Sequence, residues 1–429
     1  MAIRVGKIRL KISITEILQY FFLYLLFISH GAVIYTINAE MISNFILVIC
    51  ISYIVFHRKM FFDLYVVHII IFTILMSLLM ILHTQPYFMK VAVRIIESLL
   101  LVVVTYWTDK EKFFIRFIRM TIFFALISLC FYAFQLLEPS LLQQLLTRQP
   151  EVTGWETSPF YGKWLYTYRG VYALYRNNGI FTEPGLYQMI LNSVLAILLF
   201  FPQVANLKKN VYIRYIVILA LTIITTSSTT GYIGMAIIII GYLLKRNRME
   251  YSKGIKKYII FVLVVLIIAI LYDYYIRANN SILYINVISK FEDIGVVEDA
   301  SGGARLSVIE ICTGLFAKNP INLIFGYGYT TISSIMAMSG AKTAGAFIVY
   351  FLAAAGLPIT IYMLYPYIFK PFENREYFIE CIVFLLLYFN TSLAQSREIY
   401  PALLLLPFVL KRINDIKEKE KLEIKRKQA

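Results

Sequence analysis

The sequence predicts an all-α, polytopic membrane protein with about twelve transmembrane helices and two large extracytoplasmic loops. Of its 429 residues, 60% are hydrophobic and only 15% are charged, and the mean hydropathy is +0.72. Apolar runs recur along nearly the whole chain and approach the roughly 20 residues that cross a hydrocarbon core. Because backbone amides in lipid must be satisfied within their own segment, these runs are predicted to be helices.

Most of the predicted crossings are joined by short connections. In chain order they are residues 12–37, 41–56, 64–82, 90–107, 113–137, 185–203, 211–226, 229–244, 258–276, 343–369, 377–391 and 399–412. The first run is too long for the core of a signal peptide, so we interpret it as a retained helix. No internal repeat is visible, and a single integral membrane domain over residues 1–429 is the simplest organisation.

The formal net charge of +16 is distributed in short basic clusters between the apolar runs. These clusters recur at every second connection, for example at Arg58 and Lys59 and at Lys208 and Lys209. The pattern follows the positive-inside rule and predicts a bacterial inner-membrane protein with both termini in the cytoplasm. Because a nucleic-acid-binding protein would concentrate its basic residues on one domain, the lipid bilayer is the predicted partner of these clusters and nucleic acid is not.

Two connections on the predicted outer side are long, residues 138–184 and 277–342. Long loops without a core of their own are usually functional. The first contains Trp155 and Trp164, whose rings suit stacking on sugars and equally suit an interfacial aromatic belt. In the second, apolar residues keep helical spacing after Arg305, which predicts an amphipathic helix on or near the membrane.

The outer loops contain many cations. They are Arg148, Lys163, Arg169, Arg176, Arg277, Arg305, Lys342 and Arg397. Guanidinium groups bind phosphate oxygens through two parallel hydrogen bonds, so we interpret the set as a site for a phosphate or pyrophosphate headgroup. The alternative is that several of these side chains are simply solvated or snorkelling.

The most distinctive local sequence runs from Arg176 to Gly185 and reads RNNGIFTEPG. Pro184 at a first turn and Glu183 beside it predict the start of a helix, with a carboxylate near its positive end. In the functional interpretation, Arg176 is a phosphate ligand, and Glu183 is either its orienting partner or a general base on an acceptor hydroxyl. In the other interpretation, the segment is a helix start and nothing more.

Further candidates lie outside this segment. Arg305 at the start of the predicted amphipathic helix would add a guanidinium group to free helix amides, although a salt bridge to the preceding acidic stretch is an alternative. Arg94 and Glu97 share a helix face and are predicted to pair, either for function or for structure. No nucleotide-binding loop and no zinc-type spacing of Cys and His is present, so no metal and no cofactor is predicted.

With these motifs, the chain resembles the Wzy-type O-antigen and capsular polysaccharide polymerases of the O-antigen polymerase and ligase superfamily. The resemblance rests on the many-helix plan and on three motifs, namely Arg176 to Gly185, Gly303-Ala-Arg305, and Asn319-Pro320 with Gly326-Tyr-Gly328. It covers most of the chain in plan, but only about forty residues in motif.

The resemblance implies a metal-independent glycosyltransferase that polymerises repeat units carried on undecaprenyl pyrophosphate. The growing chain would be transferred to a hydroxyl of the incoming lipid-linked unit, and a chain-length regulator protein is an implied partner. The family's arginines match Arg169, Arg176 and Arg305, which would stabilise the leaving pyrophosphate. The remaining predicted substrate-binding residues are Arg94, Arg397, Lys342 and Trp164.

Two alternatives remain open. An O-antigen ligase would have a histidine in the second large outer loop, and this loop has none. A lipid-linked oligosaccharide flippase or transporter would place polar side chains along several helix faces at mid-membrane depth. Apart from Arg94, Glu97 and His68, we expect the predicted helices to be nearly all apolar.

Overall fold

The fold was determined from a computed structural model that describes most of the chain. The described residues are 2–5, 8–11, 13–83, 87–149, 159–170, 174–245, 272, 275–276, 301–339, 346–395 and 399–428. The predicted crossing at residues 258–276 lies almost entirely outside them.

The described part of the chain is helical apart from one short hairpin near the N-terminus. Strands β1 (Ala2–Val5) and β2 (Ile8–Lys11) pair antiparallel. The helices are α1 (Ile14–Ser29), α2 (Val33–Ile37), α3 (Ala39–Phe56), α4 (Leu64–His83), α5 (Tyr87–Thr108), α6 (Phe113–Leu137), α7 (Pro139–Leu145), α8 (Pro184–Phe200), α9 (Lys209–Thr225), α10 (Thr229–Leu244), α11 (Ser301–Lys318), α12 (Asn322–Phe325), α13 (Tyr329–Met338), α14 (Phe347–Ala355), α15 (Leu357–Leu364), α16 (Phe378–Ser392) and α17 (Leu406–Gln428).

Four described helices are long and apolar enough to cross a membrane: Ala39–Phe56, Leu64–His83, Lys90–Thr108 and Phe113–Leu137. Three shorter helices, Ile14–Ser29, Pro184–Phe200 and Thr229–Leu244, are also apolar. Many large hydrophobic side chains of α3 and α4 are exposed, including Val48, Phe45 and Ile74. Exposed apolar surface of this extent is typical of helices that face lipid. The chain is therefore an all-α membrane protein.

Three predicted crossings are interrupted. The run at 12–37 divides into α1 and α2 because Gly31 takes a positive φ of 109°. The run at 343–369 divides at Gly356, where φ is 84° and a Cβ would lie 2.2 Å from the Ile324 oxygen. The run at 399–412 begins as a short 3-10 helix at Pro401–Leu404 and continues as α17 far beyond residue 412.

Helix α8 is the centre of the bundle. Every residue from Pro184 to Phe200 is buried, including the polar side chains of Gln188, Asn192 and Ser193. It packs against α6, α9, α10 and α16 and against the 3-10 helix at Pro401–Leu404. No face of α8 is therefore left for lipid.

Glycines allow α10 to pack closely against α8 and α16. A Cβ at Gly234 would lie 2.8 Å from Nδ2 of Asn192, and one at Gly241 would lie 2.3 Å from Cγ2 of Val383. Small residues let helix backbones approach, and in a membrane this close packing is a main source of helix association.

Helix α17 binds one end of the bundle, which we call the α17 end. It forms ion pairs with three separate connections between helices. Lys411 Nζ lies 3.9 Å from Asp63 in the connection before α4, and Lys417 Nζ lies 2.7 Å from Glu376 in the connection before α16. Lys419 pairs with Glu111 in the connection between α5 and α6. The residues after α8, at Pro202–Val204, also contact α17, so Pro184 at the start of α8 lies at the opposite end.

Substitution of Gly241 by Ala is expected to destabilise the bundle. The added methyl group would overlap the side chain of Val383, and overpacking of this kind costs about 1–3 kcal/mol. The measurement is the thermal midpoint of the purified protein in detergent. Gly314→Ala in α11 is the matched control, because a Cβ there meets nothing within 4 Å and alanine favours the helix. An equal loss in both variants would contradict the packing argument.

Docking of α17 is expected to depend on pH in the acidic range. Hydrogen bonds and charge from Lys417 and Lys419 lower the pKa values of Glu376 and Glu111 below their ordinary value of 4.5. A carboxylate with a lowered folded-state pKa contributes its full stability above its unfolded pKa and loses it as the pH falls through the folded value. As the pH falls from about 5 to about 2, hydrogen exchange of residues 411–426 should therefore become faster relative to hydrogen exchange in α8. The change should exceed the one that the intrinsic exchange rates predict.

Candidate active site at the start of helix α8

The last part of the long loop at residues 138–184 folds back into the bundle, and we call residues 174–182 the re-entrant segment. Gln135 Nε2 on α6 donates to the Leu174 oxygen at 2.6 Å, and the Asn177 amide donates to the Thr225 oxygen at 2.9 Å. Asn177 also contacts Ser128, which lies about 22 Å along α6 from Phe113 at 1.5 Å per residue. Helix α6 continues to Leu137, about 14 Å further, so the segment lies well below its end.

Asn177 holds this re-entrant segment in place. Its Nδ2 donates to Ser128 Oγ at 3.2 Å and to Thr225 Oγ1 at 3.0 Å, and its Oδ1 accepts the Gly179 amide at 3.0 Å. Non-helical backbone at membrane depth is tolerated only where protein or a water-filled cavity surrounds it. One fully buried amide side chain therefore joins the segment to α6 and α9 and also closes its turn.

The two glycines of the motif are required by their surroundings. Gly179 has a φ of 56°, and a Cβ there would lie 2.8 Å from the Tyr187 ring. A Cβ at Gly185 would lie 2.1 Å from Nε2 of Gln395. The first glycine supplies a left-handed turn that other residues rarely adopt, and the second lets the start of α8 approach the segment before Pro401.

The motif also pairs with the break between α1 and α2. The Thr182 amide donates to the Gly31 oxygen at 3.0 Å, and the Val33 amide donates to the Ile180 oxygen at 3.1 Å. Beside this pairing, His30 donates from Nδ1 to the Leu26 oxygen at 2.6 Å and accepts the Ala402 amide at Nε2 at 3.0 Å. These two contacts assign a neutral imidazole with its proton on Nδ1.

Arg169, Arg176 and Glu183 interact at the start of α8. Burial lowers the pKa of both arginines, and the Glu183 carboxylate opposes this effect on each of them. The positive charge of Arg176 lowers the pKa of Arg169 further. The Arg169 guanidinium lies 5.2 Å from the centre of the Phe160 ring. The structure thus brings together three residues that sequence analysis selected.

Positive charge exceeds negative charge in this cluster. Glu183 is the only carboxylate within the described ranges that raises the pKa of either arginine. The Nε atom of Arg176 is buried and has no hydrogen-bond partner there. Glu183 is the N-cap residue of α8, but its side chain does not accept the capping hydrogen bond. The cluster and the helix terminus together form a surface suited to an anion.

Other predicted residues lie apart from this cluster or outside the described residues. Trp164 is 54% exposed, with Lys163 Nζ 5.8 Å from its ring, and no described contact joins it to Arg169 or Arg176. The helix predicted to start at Arg305 starts at Ser301, so Arg305 is the fifth residue of α11 and lies beyond the first turn with its free amides. The side chain of Arg305 is outside the described part, as are Lys342 and Arg397.

Arg94 and Glu97 do not pair as predicted. Arg94 is exposed, whereas Glu97 is buried and its Oε2 accepts hydrogen bonds from Tyr35 at 2.8 Å and Ser43 at 2.5 Å. Helical spacing places the two side chains on neighbouring positions of α5, but α2 and α3 supply the partners of the carboxylate. No described contact joins Arg94 to Arg176 or to the start of α8.

The predicted helix after Arg305 forms, although its buried face differs from the expected one. Val308 and Cys312 are fully buried, whereas Leu306 is 40% exposed, and α11 packs against α14. Apolar residues lie on several sides of this helix, so a single apolar stripe does not describe it.

Sequence analysis missed the buried amides of the site. Gln188 Nε2 donates to the Gly185 oxygen at 2.9 Å, and Asn192 Nδ2 donates to Gln188 Oε1 at 2.7 Å. The Oδ1 atoms of Asn178 and Asn192 are buried without a hydrogen-bond partner among the described residues. The expectation of nearly all-apolar helices was wrong for α8. The available signal was two amides at i, i+4 spacing inside an apolar run.

Neither a metal site among the described residues nor similarity to a known protein assigns a function to this cluster. Within the described ranges, no group of three or more His, Cys, Asp or Glu side chains could hold a metal ion. No protein-family model, curated protein or solved structure matches the chain. Functional interpretation therefore depends on the geometry and charge of the cluster itself.

Substitution of Asn177 by Ala is expected to lower stability by about 1–3 kcal/mol, because it leaves buried hydroxyl and amide groups without partners. The measurement is the unfolding midpoint in detergent and denaturant. Gln143→Ala is the control, since Gln143 is exposed and donates one hydrogen bond, to the Tyr161 hydroxyl. Similar midpoints for Asn177→Ala and the wild type would show that the re-entrant segment does not depend on this side chain.

Proposed function

We propose that this chain is a polysaccharide polymerase of the bacterial inner membrane. It would join oligosaccharide repeat units carried on undecaprenyl pyrophosphate into an O-antigen or capsule. The observation that carries the proposal is the pair of desolvated arginines at the start of α8, which faces only one described carboxylate.

Charge balance favours a multiply charged anion as the ligand. A buried cation is costly unless it is balanced by negative charge, and among the described residues Arg169 and Arg176 share one carboxylate, Glu183. A multiply charged anionic ligand would complement this cluster. A pyrophosphate group provides several oxygens that match the guanidinium fork of Arg176 or Arg169. The amides at the N-terminus of α8 would add hydrogen bonds and a favourable dipole.

The proposed reaction is a glycosyl transfer. The hydroxyl oxygen of the acceptor sugar attacks the anomeric carbon of the donor chain, and the bond from that carbon to the pyrophosphate oxygen breaks. Arg169 and Arg176 stabilise the negative charge that develops on the departing lipid pyrophosphate. Glu183 accepts the proton of the attacking hydroxyl. Arg305 from the second large loop would contribute a further cation.

The proposed topology places this chemistry near the outer membrane surface. We propose about twelve spans with both termini in the cytoplasm, following the alternation of basic clusters. The α17 end would then be cytoplasmic. The re-entrant segment lies about 22 Å along α6 from Phe113, and a hydrocarbon core is about 30 Å thick. This depth suits a lipid headgroup drawn slightly into the protein from the outer leaflet.

A lipid-linked oligosaccharide flippase is the second candidate. The buried amides Gln188 and Asn192 favour it, because a translocation path needs polar groups inside the bundle. The two functions separate in liposomes that contain purified protein and a lipid-linked repeat unit. Movement of the unit between leaflets without lengthening would favour the flippase, and lengthening would favour the polymerase. The ligase alternative has no such observation in its favour.

Arg176→Ala is expected to abolish long-chain polysaccharide and leave single repeat units, because loss of one transition-state donor costs about 10²–10³ in rate. The assay is electrophoresis of surface polysaccharide from a deletion strain that expresses each variant at matched protein level. Arg148→Ala is the control, since Arg148 is an exposed cation in the same loop. Wild-type chain lengths in the Arg176 variant would refute the proposed role.

Two further variants test the chemistry of the neighbouring groups. Glu183→Gln keeps the shape of the side chain but removes the base, so turnover should fall by about 10²–10⁴. Unchanged turnover in Glu183→Gln would exclude the base role.

Arg169→Lys keeps the positive charge but loses the guanidinium fork, and it should lower activity only if contact with the phosphate oxygens is bidentate.

A further inference from the structure

A second cationic site lies at the α17 end, remote from the start of α8. It is a pocket of about 390 Å³ between the end of α3, the following 3-10 helix and the end of α5. Its lining residues are Tyr53, Phe56, His57, Arg58, Lys59, Met60 and Trp107. This volume lies within the range of about 300–1,000 Å³ that is usual for small-ligand sites.

Two cations that line this pocket, Arg58 and Lys59, have no ion-pair partner within the described part of the protein. Arg58 and Lys59 are both exposed and form no ion pair with a described residue. Lys110 Nζ lies 3.1 Å from the centre of the Trp107 ring. The pKa of Lys110 is lowered, first by burial and then by the charge of Lys411, whereas the carboxylates of Asp63 and Asp415 raise it. Lys110 therefore has carboxylates nearby, and Arg58 and Lys59 are the cations that line the pocket.

Asp63, a carboxylate that contacts Trp107 at this end of the bundle, already has partners. Asp63 accepts hydrogen bonds from Trp107 Nε1 at 2.9 Å and from the Tyr65 amide at 3.0 Å. Its Oδ2 also lies 3.9 Å from Lys411 Nζ. Asp63 therefore orients the Trp107 ring and balances Lys411, and it is not available to neutralise Arg58 or Lys59.

The pocket lies where two membrane-spanning helices end. The ends of α3 and α5 line it, and both helices are long and apolar enough to cross a membrane. Phe56 and Phe62, on either side of the basic pair, are 84% and 86% exposed. Exposed aromatic rings beside cations are typical of the membrane interface, where rings contact acyl chains and cations contact headgroups.

We infer that this pocket binds the phosphate headgroup of an anionic phospholipid. Arg58 and Lys59 bind the phosphate oxygens, and Trp107 and Tyr53 form the interfacial wall beside the glycerol backbone. Anionic lipids attract juxtamembrane cations by about 1 kcal/mol for each Lys or Arg, so two cations produce a selective site. This inference depends on the membrane environment and not on the proposed polymerase reaction.

The test is lipid retention by the purified full-length protein. The protein in detergent is offered phosphatidylglycerol and phosphatidylcholine with identical acyl chains, and bound lipid is counted by native mass spectrometry. The wild type should retain phosphatidylglycerol preferentially. The double variant Arg58→Gln/Lys59→Gln should lose this preference by about tenfold or more. Equal retention by the double variant and the wild type would overturn the proposal.

Control variants distinguish a specific lipid-binding site from a general effect of surface charge. Lys370→Gln/Arg375→Gln removes the same charge from two other exposed side chains near α17 and should keep the preference. An equal loss there would overturn the site assignment. Arg58→Lys/Lys59→Arg should retain the lipid, which excludes misfolding as the cause. Displacement of the lipid by inorganic phosphate at equal concentration would assign the pocket to a soluble anion instead.

Discussion

This structure depends on one constraint, which is that backbone N–H and C=O groups inside a membrane protein must find hydrogen-bond partners within the protein. Residues 174–182 are not helical, yet Asn177 and Asn178 are buried inside the bundle, where neither water nor lipid offers hydrogen bonds to the backbone. Asn177, Gln135 and the carbonyl of Thr225 supply those bonds from inside the bundle. The segment can therefore hold charged groups at a depth that an ordinary surface loop could not reach.

The same constraint explains why α8 is enclosed. A helix whose first turn must contact the re-entrant segment, α1 and residues before Pro401 has neighbours on every side. Its interior position brings the N-terminal amides and Glu183 to the arginines in a region of low dielectric constant, where electrostatic effects are larger than in water. At the other end, α17 holds the connections together through ion pairs. Lys417–Glu376 and Lys419–Glu111 are exposed to solvent, whereas Asp63 is buried beneath Lys411.

Sequence analysis located the elements that are set by length and composition. The helices Leu64–His83 and Phe113–Leu137 nearly coincide with the predicted crossings, because a long apolar run has few other structures in lipid. Pro184 correctly marked the start of α8. The breaks at Gly31 and Gly356 were missed, since a glycine inside an apolar run reveals its positive φ only when its partner segment is known.

The candidate site was predictable to a similar extent. Sequence analysis identified Arg169, Arg176 and Glu183 as charged residues in a loop that was expected to contain few charges. The structure brings the three residues together. Uncharged amides such as Asn192 barely alter the average hydropathy of a helix, so they gave a weak signal. The partners of Glu97 come from other helices, Tyr35 and Ser43. Pairs of this kind depend on tertiary packing, which spacing along one helix does not encode.

The hydrogen bond from the Ala402 amide to His30 joins residues that are 372 positions apart. The break in the first helix, the turn at Phe181 and the last 3-10 helix therefore meet at a single joint. Ribosomes make the chain from its N-terminus, so this joint stays open until nearly all of the protein has been synthesised. Until then, the polar groups of residues 30–32 need other partners during insertion, and a product truncated before residue 402 lacks the piece that closes the joint.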